Sequence, residues 1–344
     1  MKTAPTLPFF DNLERFGRQL EESDRLPLLI TGIAGVAGFN AFSYFRQKYG
    51  DDVYGQRPAK NWPLSGPGIV GIDLEDTETI KQFIQSRRIQ SVLNCGGSCA
   101  LKSCELDPAM AQRVNVTATE SLLKAMAHSE IRFVHLSIDL VFSGTQMGDY
   151  HESSPTDPVT IYGKTMVESE QLIREQRPES VILRISLPMG TSFNGHAGAI
   201  DWIQSRFLQG KPATLYFDEV RSPTYVECLN EVFEETLGGE FEGLFHAGGP
   251  RNISLYEIAQ IVNRIGGYDP ELLQGCYRLE AGPIPPRAGN VTMDNTQLTD
   301  LLGRAPFTSW PSKPDFMPDH RNWHYKRGLF PESPEQIYRH LYKR

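Results

Sequence analysis

The sequence predicts a doubly wound parallel α/β sheet carrying a smaller C-terminal lobe. Three observations predict it: apolar runs alternating with helical segments from Leu26 to about Gly190, a glycine-rich turn between the first run and the first helix, and a looser Gly- and Pro-rich pattern from about residue 195 onward. Strands that alternate with helices are joined by crossovers rather than tight hairpins. They therefore pair in parallel, with helices covering both faces.

Taken in order, residues 1–26 precede this pattern. Leu13, Phe16 and Leu20 recur at helical spacing behind Asp11, a suitable cap, so 11–24 reads as an added helix. The stretch "LPLLITGIAGVAGFNAFSYFRQKYG" then gives a buried strand, a glycine-rich turn and a helix ending near Gly50. "DDVYGQ" and "GIVGIDL" are short second and third strands. "SVLNCGG" and "RFVHLSIDLVF" are two more, separated by a helical stretch around "AQRVNVTATESLLKAMAH". "SVILRISLPMG" adds a strand after the helix that contains Met166. Beyond it "GLFHAGG", "SLYEIAQIVNRIG" and "NTQLTDLLG" return as short elements. The division that follows is an α/β domain over 27–190 whose core continues in later returning elements, a smaller lobe over 191–310, and an extension over 311–344. The motifs below mark the first as dinucleotide-binding, and the resemblance they carry implies that the second is mainly substrate-binding. That aromatic and basic tail reads as packed, because a chain end must be tied down to be ordered.

Composition narrows the function. The 344 residues carry a formal net charge of −8, with 22% of residues charged, which disfavours a broad surface for nucleic acid. A local pocket for a small anion is compatible with that balance. The N-terminus has no apolar h-region or small-residue cleavage site, and no run of about 18 apolar residues occurs, so a cytoplasmic protein without membrane spans is expected. Five cysteines, an odd number, agree with a reducing compartment. Cys95, Cys99 and Cys104 cluster, but without a C-x-x-C pair or nearby histidine no metal site is expected.

In "TGIAGVAG", Gly32, Gly35 and Gly38 stand between strand and helix. Glycines permit the tight turn and let the N–H groups of Val36, Ala37 and Gly38, at the helix N-terminus, approach a pyrophosphate. The choice between NAD and NADP rests on the end of the second strand. Asp51 and Asp52 are at its beginning, whereas Arg57 stands at its end and its forked guanidinium suits a 2′-phosphate. NADP(H) is favoured, with NAD(H) the alternative.

Further pieces appear in order: "GIDLED", "VLNCGGSCALKSCELDP", "RVNVTATESLL", "HLSIDLVFSG", "YHESSPTDPVTIYGKTMVESEQ", "LRISLPMG", "RSPTYVECL", "GLFHAGGPRNISLYEIA" and "PPRAGNVTMDNTQLTDLLG". Together with the glycine turn they cover about residues 28 to 303 and resemble the extended short-chain dehydrogenase/reductase family, within it the dTDP-4-dehydrorhamnose reductases and the related regulatory beta subunit of methionine adenosyltransferase. The resemblance implies a Rossmann-type domain in which Asp73 and Leu74 lie beside the adenine, and Cys95, Gly96 and Gly97 line the cofactor groove. It also implies a substrate lobe built after residue 187.

In that family a Ser or Thr, a Tyr and a Lys carry the chemistry. The first element is Ser-(Ser/Thr)-Asp-x-Val-Phe, and here Ile138 replaces the hydroxyl between Ser137 and Asp139. The second is Tyr-x-x-x-Lys with a glutamate four further on. Here Tyr162 and Glu170 keep that separation while Met166 stands in the lysine position. Lys164, two residues after Tyr162, points to another side of a helix. The lysine would hold the nicotinamide ribose and lower the tyrosine's pKa by about 3 units, roughly 4 kcal/mol of differential stabilisation that a methionine does not supply. Losing the Ile138 hydroxyl forfeits roughly 3 kcal/mol by analogy with oxyanion-hole deletions.

Ser137, Asp139, Ser186, His135, His151 and His196 read as structural groups, His196 being a loop histidine that could reach a substrate but is of a kind commonly solvated. The expected activity is NAD(P)H-dependent reduction of a nucleotide-linked 4-keto sugar, with Tyr162 as proton donor in a degenerate triad. The alternatives are a regulatory dinucleotide-binding subunit that contacts a protein partner, and an altered epimerase- or lyase-type chemistry on a tightly bound cofactor. A homodimer through helices on a sheet face is compatible with all three.

Overall fold

The computed structural model describes Leu20 and residues 24–60, 63–194, 198–326 and 333–343. The helix expected over 11–24 lies largely outside the described residues. Leu20, within it, is fully buried.

The elements follow the anticipated alternation. β1 (Leu28–Thr31) leads through the glycine turn into α1 (Val36–Tyr49). β2 (Val53–Arg57), β3 (Ile69–Gly71), α2 (Thr77–Arg87) and β4 (Ser91–Asn94) follow. α3 (Leu101–Leu106) and α4 (Pro108–Gln112) run through a π-helical turn, Arg113–Thr117, into α5 (Ala118–Ala125). β5 (Arg132–Ile138), α6 (Ile161–Gln176), β6 (Val181–Ile185) and β7 (Pro188–Met189) complete the first part. The rest comprises α7 (Ala199–Leu208), β8 (Ala213–Tyr216), β9 (Val220–Arg221), β10 (Thr224–Tyr225), α8 (Val226–Gly238), β11 (Gly243–Ala247), β12 (Ile253–Ser254), α9 (Leu255–Ile265), β13 (Leu273–Cys276), α10 (Thr296–Leu302) and α11 (Pro334–Tyr342).

Seven strands form a parallel sheet in the order β11-β6-β5-β4-β1-β2-β3. Strand order reverses between β1 and β4, whose register pairs Leu28 with Ser91 and Thr31 with Asn94. That reversal opens a crevice at the carboxyl ends of the two strands, where ligands of open α/β sheets bind. β11 shows that the sheet is completed by residues well past 190. Three two-stranded ribbons, β8–β13, β9–β12 and β7–β10, lie outside this sheet.

Side-chain alternation along β1 explains the two-sided core. Leu28 and Ile30 join Phe42, Phe45, Leu229 and Phe233 beneath α1 and α8, while Leu29 joins Ile80, Ile84, Leu122 and Ile182 on the face covered by α2 and α5. Local chemistry sets the helix ends. Asp76 accepts from the Thr79 amide at 3.0 Å to start α2, Thr160 accepts from the Gly163 amide at 2.9 Å to start α6, and Ser254 with Glu257 forms a capping box on α9. Beside the adjacent strands β5 and β6, Arg184 on β6 donates to both oxygens of Glu170 on α6 at 2.7 and 2.9 Å, and Ser137 on β5 donates to the same carboxylate. Both charged groups are buried, so each needs the other. Among the described residues no helix is long and apolar enough to cross a membrane.

Candidate functional site

The glycine turn is built as a cradle. Gly32 has φ +65° and a Cβ there would collide with the Cys95 carbonyl, so the β1 turn lies directly against the β4 turn. A Cβ on Gly38 would lie 2.5 Å from the Gly32 carbonyl oxygen, which also accepts from the Gly35 amide at 3.0 Å. α1 begins at Gly35 with no side-chain cap, which leaves the amides of Val36, Ala37 and Gly38 for a ligand. Gln56 supports the turn from β2 by accepting from the Gly32 amide at 3.0 Å and donating to the Ile72 carbonyl. It is 2% exposed, and a buried glutamine at a strand end carries no sequence signal for this role.

At the far side of β2, Arg57 donates to the carbonyls of Pro58, Ala59 and Leu64. Asp73 accepts from the Ala59 amide at 2.8 Å, and a Cβ on Gly96 would lie 2.9 Å from Leu74 Cδ1. Arg57, Asp73, Leu74, Cys95 and Gly96 thus gather at the carboxyl edge of β2, β3 and β4. Gly97, at φ +148°, brings the next amide, that of Ser98, to Asn115 Oδ1 at 2.7 Å. Asn115 sits in the π-helical turn and also donates to Thr165 at 2.8 Å, whose hydroxyl donates to the Tyr162 carbonyl at 2.8 Å. This relay couples the β4 turn to the start of α6. Spacing does not reveal it, because it depends on a one-residue bulge in the helix.

Tyr162, Met166 and Ile138 fall within one packed region. A Cβ on Gly163 would collide with the Leu140 carbonyl, so α6 packs closely on the Asp139–Val141 turn that follows half-buried Ile138. Tyr162 and Met166 are 8% and 4% exposed and share one apolar cluster with Cys104, Ala111, Leu140 and Phe142, against which Ile138 packs. Burial raises the Tyr162 phenol well above its ordinary value; Cys99, Asp139 and Cys104 add to the shift, and Arg221 opposes it. Lys164 is exposed, on a different side of the helix.

The remaining polar residues are engaged elsewhere. Asp139 accepts from Arg221 Nη1 and from Ser186 Oγ, each at 2.7 Å, and Arg221 Nη2 donates to Glu219 at 2.7 Å. Ser137 serves Glu170. His135 takes a hydrogen bond from Asn94 through Nδ1 at 2.9 Å, and burial lowers its pKa to about 4. His246 donates from Nδ1 to the Tyr150 carbonyl at 2.9 Å, leaving Nε2 to accept from Arg184 at 3.3 Å, and burial lowers it to about 3. His151 lines a separate cleft with Glu152, Asp294 and Asp300. His196 lies outside the described residues.

Comparison with known proteins bears on the family and the fold. The family described as the RmlD substrate binding domain matches residues 27–314. A probable low-salt glycan biosynthesis reductase, Agl14, of Haloferax volcanii is 26% identical over 280 residues, covering 80% of this chain and 91% of the relative. dTDP-4-dehydrorhamnose reductase of Mycolicibacterium smegmatis is 26% identical over 243 residues, 69% of this chain and 72% of the relative. Methionine adenosyltransferase 2 subunit beta of Xenopus laevis is 25% identical over 304 residues, 82% of this chain and 87% of the relative. In fold, the chain superimposes on dTDP-4-dehydrorhamnose reductase of Bacillus anthracis, solved in complex with NADP, with a TM-score of 0.71 at 19% identity, over 82% of this chain and 95% of that one. With the family model spanning residues 27–314, most of its length, the chain belongs to the RmlD substrate binding domain family.

Proposed function

We propose that the protein binds a nicotinamide dinucleotide, NADP(H) in preference to NAD(H), and takes a nucleotide-linked 4-keto sugar in its outer lobe, with slow reduction of that sugar. The observation that carries the reading is the uncapped first turn of α1 beside the β1 turn, which lies directly against the β4 turn. Val36, Ala37 and Gly38 would offer amides to the pyrophosphate, and Gly32, Cys95, Gly96 and Gly97 would form the floor of the groove. Arg57, Asp73 and Leu74 would flank the adenosine. Among the described residues Arg57 forms no ion pair, and its hydrogen bonds go to backbone carbonyls, so its charge is not cancelled by a carboxylate and favours a 2′-phosphate.

The bound dinucleotide would supply the hydride. Tyr162 would deliver a proton to the reduced carbonyl oxygen from a phenol that stays protonated throughout the neutral range. No cation tunes it from position 166, and Ile138 polarises nothing, so turnover falls short of a full triad by a factor on the order of 10²–10⁴. The five free cysteines support a reducing, cytoplasmic setting.

A second reading, a regulatory dinucleotide-binding subunit, is favoured by one observation: Met166 is packed into the apolar cluster as a core residue. Mixing the protein with NADPH and dTDP-4-keto sugars and following nicotinamide absorbance separates the two. Slow oxidation of NADPH that depends on the sugar supports the first reading. Tight NADPH binding without any sugar-dependent oxidation leaves the second.

A further inference from the structure

The C-terminal helix is fastened to the outer lobe by contacts that lead to one carboxylate. In α11 the Leu341 carbonyl accepts from Trp310 Nε1 at 2.8 Å and the His340 carbonyl accepts from the Tyr225 hydroxyl at 2.9 Å. Leu341 and Tyr342 are buried. The Tyr342 hydroxyl lies 3.0 Å from Asp201 Oδ1, on α7, and 3.3 Å from Gln204 Oε1. The other oxygen of Asp201 accepts from Ser192 Oγ and, at 3.3 Å, from the Gly198 amide.

Ser192 belongs to a segment that lies on the first turns of α1. The Thr191 carbonyl accepts from Asn40 Nδ2 at 2.8 Å, and the same amide group donates to the Val36 carbonyl at 2.8 Å. The Phe193 ring lies 6.5 Å from that of Phe39. One buried carboxylate therefore holds the C-terminal helix with one oxygen. With the other it holds the segment that packs against the proposed pyrophosphate turn.

We propose that Asp201, braced by Tyr342, is a positioning residue for the dinucleotide: it keeps the Thr191–Asn194 segment against the start of α1, so that residence of the bound cofactor depends on the last helix of the chain. This rests on the dinucleotide reading above. A segment packed on Phe39 and Asn40 holds the start of α1 in place, and loosening such a support shows chiefly in dissociation.

The test is stopped-flow displacement of NADPH from the full-length protein, followed by nicotinamide fluorescence, in wild type, Tyr342→Phe and Asp201→Asn. Melting of the ligand-free proteins is measured alongside. Tyr342→Phe removes a single oxygen and leaves the packing of α11 in place. NADPH dissociation from Tyr342→Phe is expected to be about tenfold faster, as for loss of a hydrogen bond to a charged group, with association within about twofold. Unchanged dissociation overturns the proposal, and a lowered melting temperature with unchanged dissociation marks a merely structural contact. If wild type binds neither NADPH nor NADH, the dinucleotide reading itself fails, visibly before any variant is made, and the positioning role falls with it.

Discussion

Met166 lies one helical turn beyond Tyr162 on α6, and the two side chains are buried in the same apolar cluster. On a helix this spacing places both on one face, so whatever occupies position 166 sets the environment of the phenol. A methionine there removes a cation and adds low-dielectric surface, and both effects favour the neutral phenol. Restoring Met166→Lys together with Ile138→Thr is expected to raise the rate of keto-sugar reduction by about 10²-fold or more, with each single change giving less. Steady-state NADPH oxidation checks it, and equal rates in the double variant and wild type would sink the assignment of Tyr162 as proton donor.

The cradle makes a sharper demand on backbone than on side chains. Because Gly38 faces the Gly32 carbonyl, a methyl group there meets atoms that no rotamer change can move. Gly38→Ala is expected to weaken NADPH binding at least tenfold and to lower stability by about 2–3 kcal/mol. Calorimetric titration and denaturant unfolding read the two effects separately.

In the proposed reading Arg57 favours NADP(H) over NAD(H). Arg57→Gln keeps hydrogen-bond donors for the carbonyls of Pro58 and Leu64 but removes the charge. Affinity for NADPH is expected to fall about 10- to 100-fold while affinity for NADH stays within about twofold, since a charge-assisted phosphate contact is lost and no ribose contact is. Parallel fluorescence titrations with the two dinucleotides measure it, and equal losses for both would remove Arg57 from the 2′-phosphate.

Two buried imidazoles link stability to pH. His135 and His246 are lowered to about 4 and about 3 in the native chain, whereas an unfolded histidine titrates near 6.5. The unfolded chain therefore binds protons below pH 6.5 that the native chain refuses. Their contribution is complete above pH 6.5 and is lost as pH falls toward the native values, at about 1.4 kcal/mol per unit for each group. Urea unfolding between pH 7 and 5 is expected to show uptake of close to two protons at the acid end, reduced by about one in His135→Gln.

Much of the fold was legible because its signals are local. Apolar runs, the Gly32-Gly35-Gly38 spacing and the separation of Tyr162 from Glu170 survive in a one-dimensional reading. What was not legible depends on residues distant in the chain. Asp139 meets Arg221 across 82 positions, and nothing in either neighbourhood announces the ion pair. Asn115 reaches Ser98 and Thr165 only because the helix bulges at that turn. Strand β3 pairs over Ile69–Gly71 alone, shorter than "GIVGIDL" suggests, because after Gly71 the chain turns away to present Asp73 to the Ala59 amide. The docking of α11 on Trp310 and Tyr225 reflects shape complementarity, which composition alone does not encode.

Direct titration of the Tyr162 phenol tests the proposed loss of proton steering at its source. In protein labelled with ¹³C at tyrosine Cζ and saturated with NADPH, the Tyr162 resonance, identified by its loss in Tyr162→Phe, should hold its protonated shift from pH 6 to about 10. An inflection near pH 7 would mean that another cation reaches the hydroxyl and would contradict an untuned tyrosine.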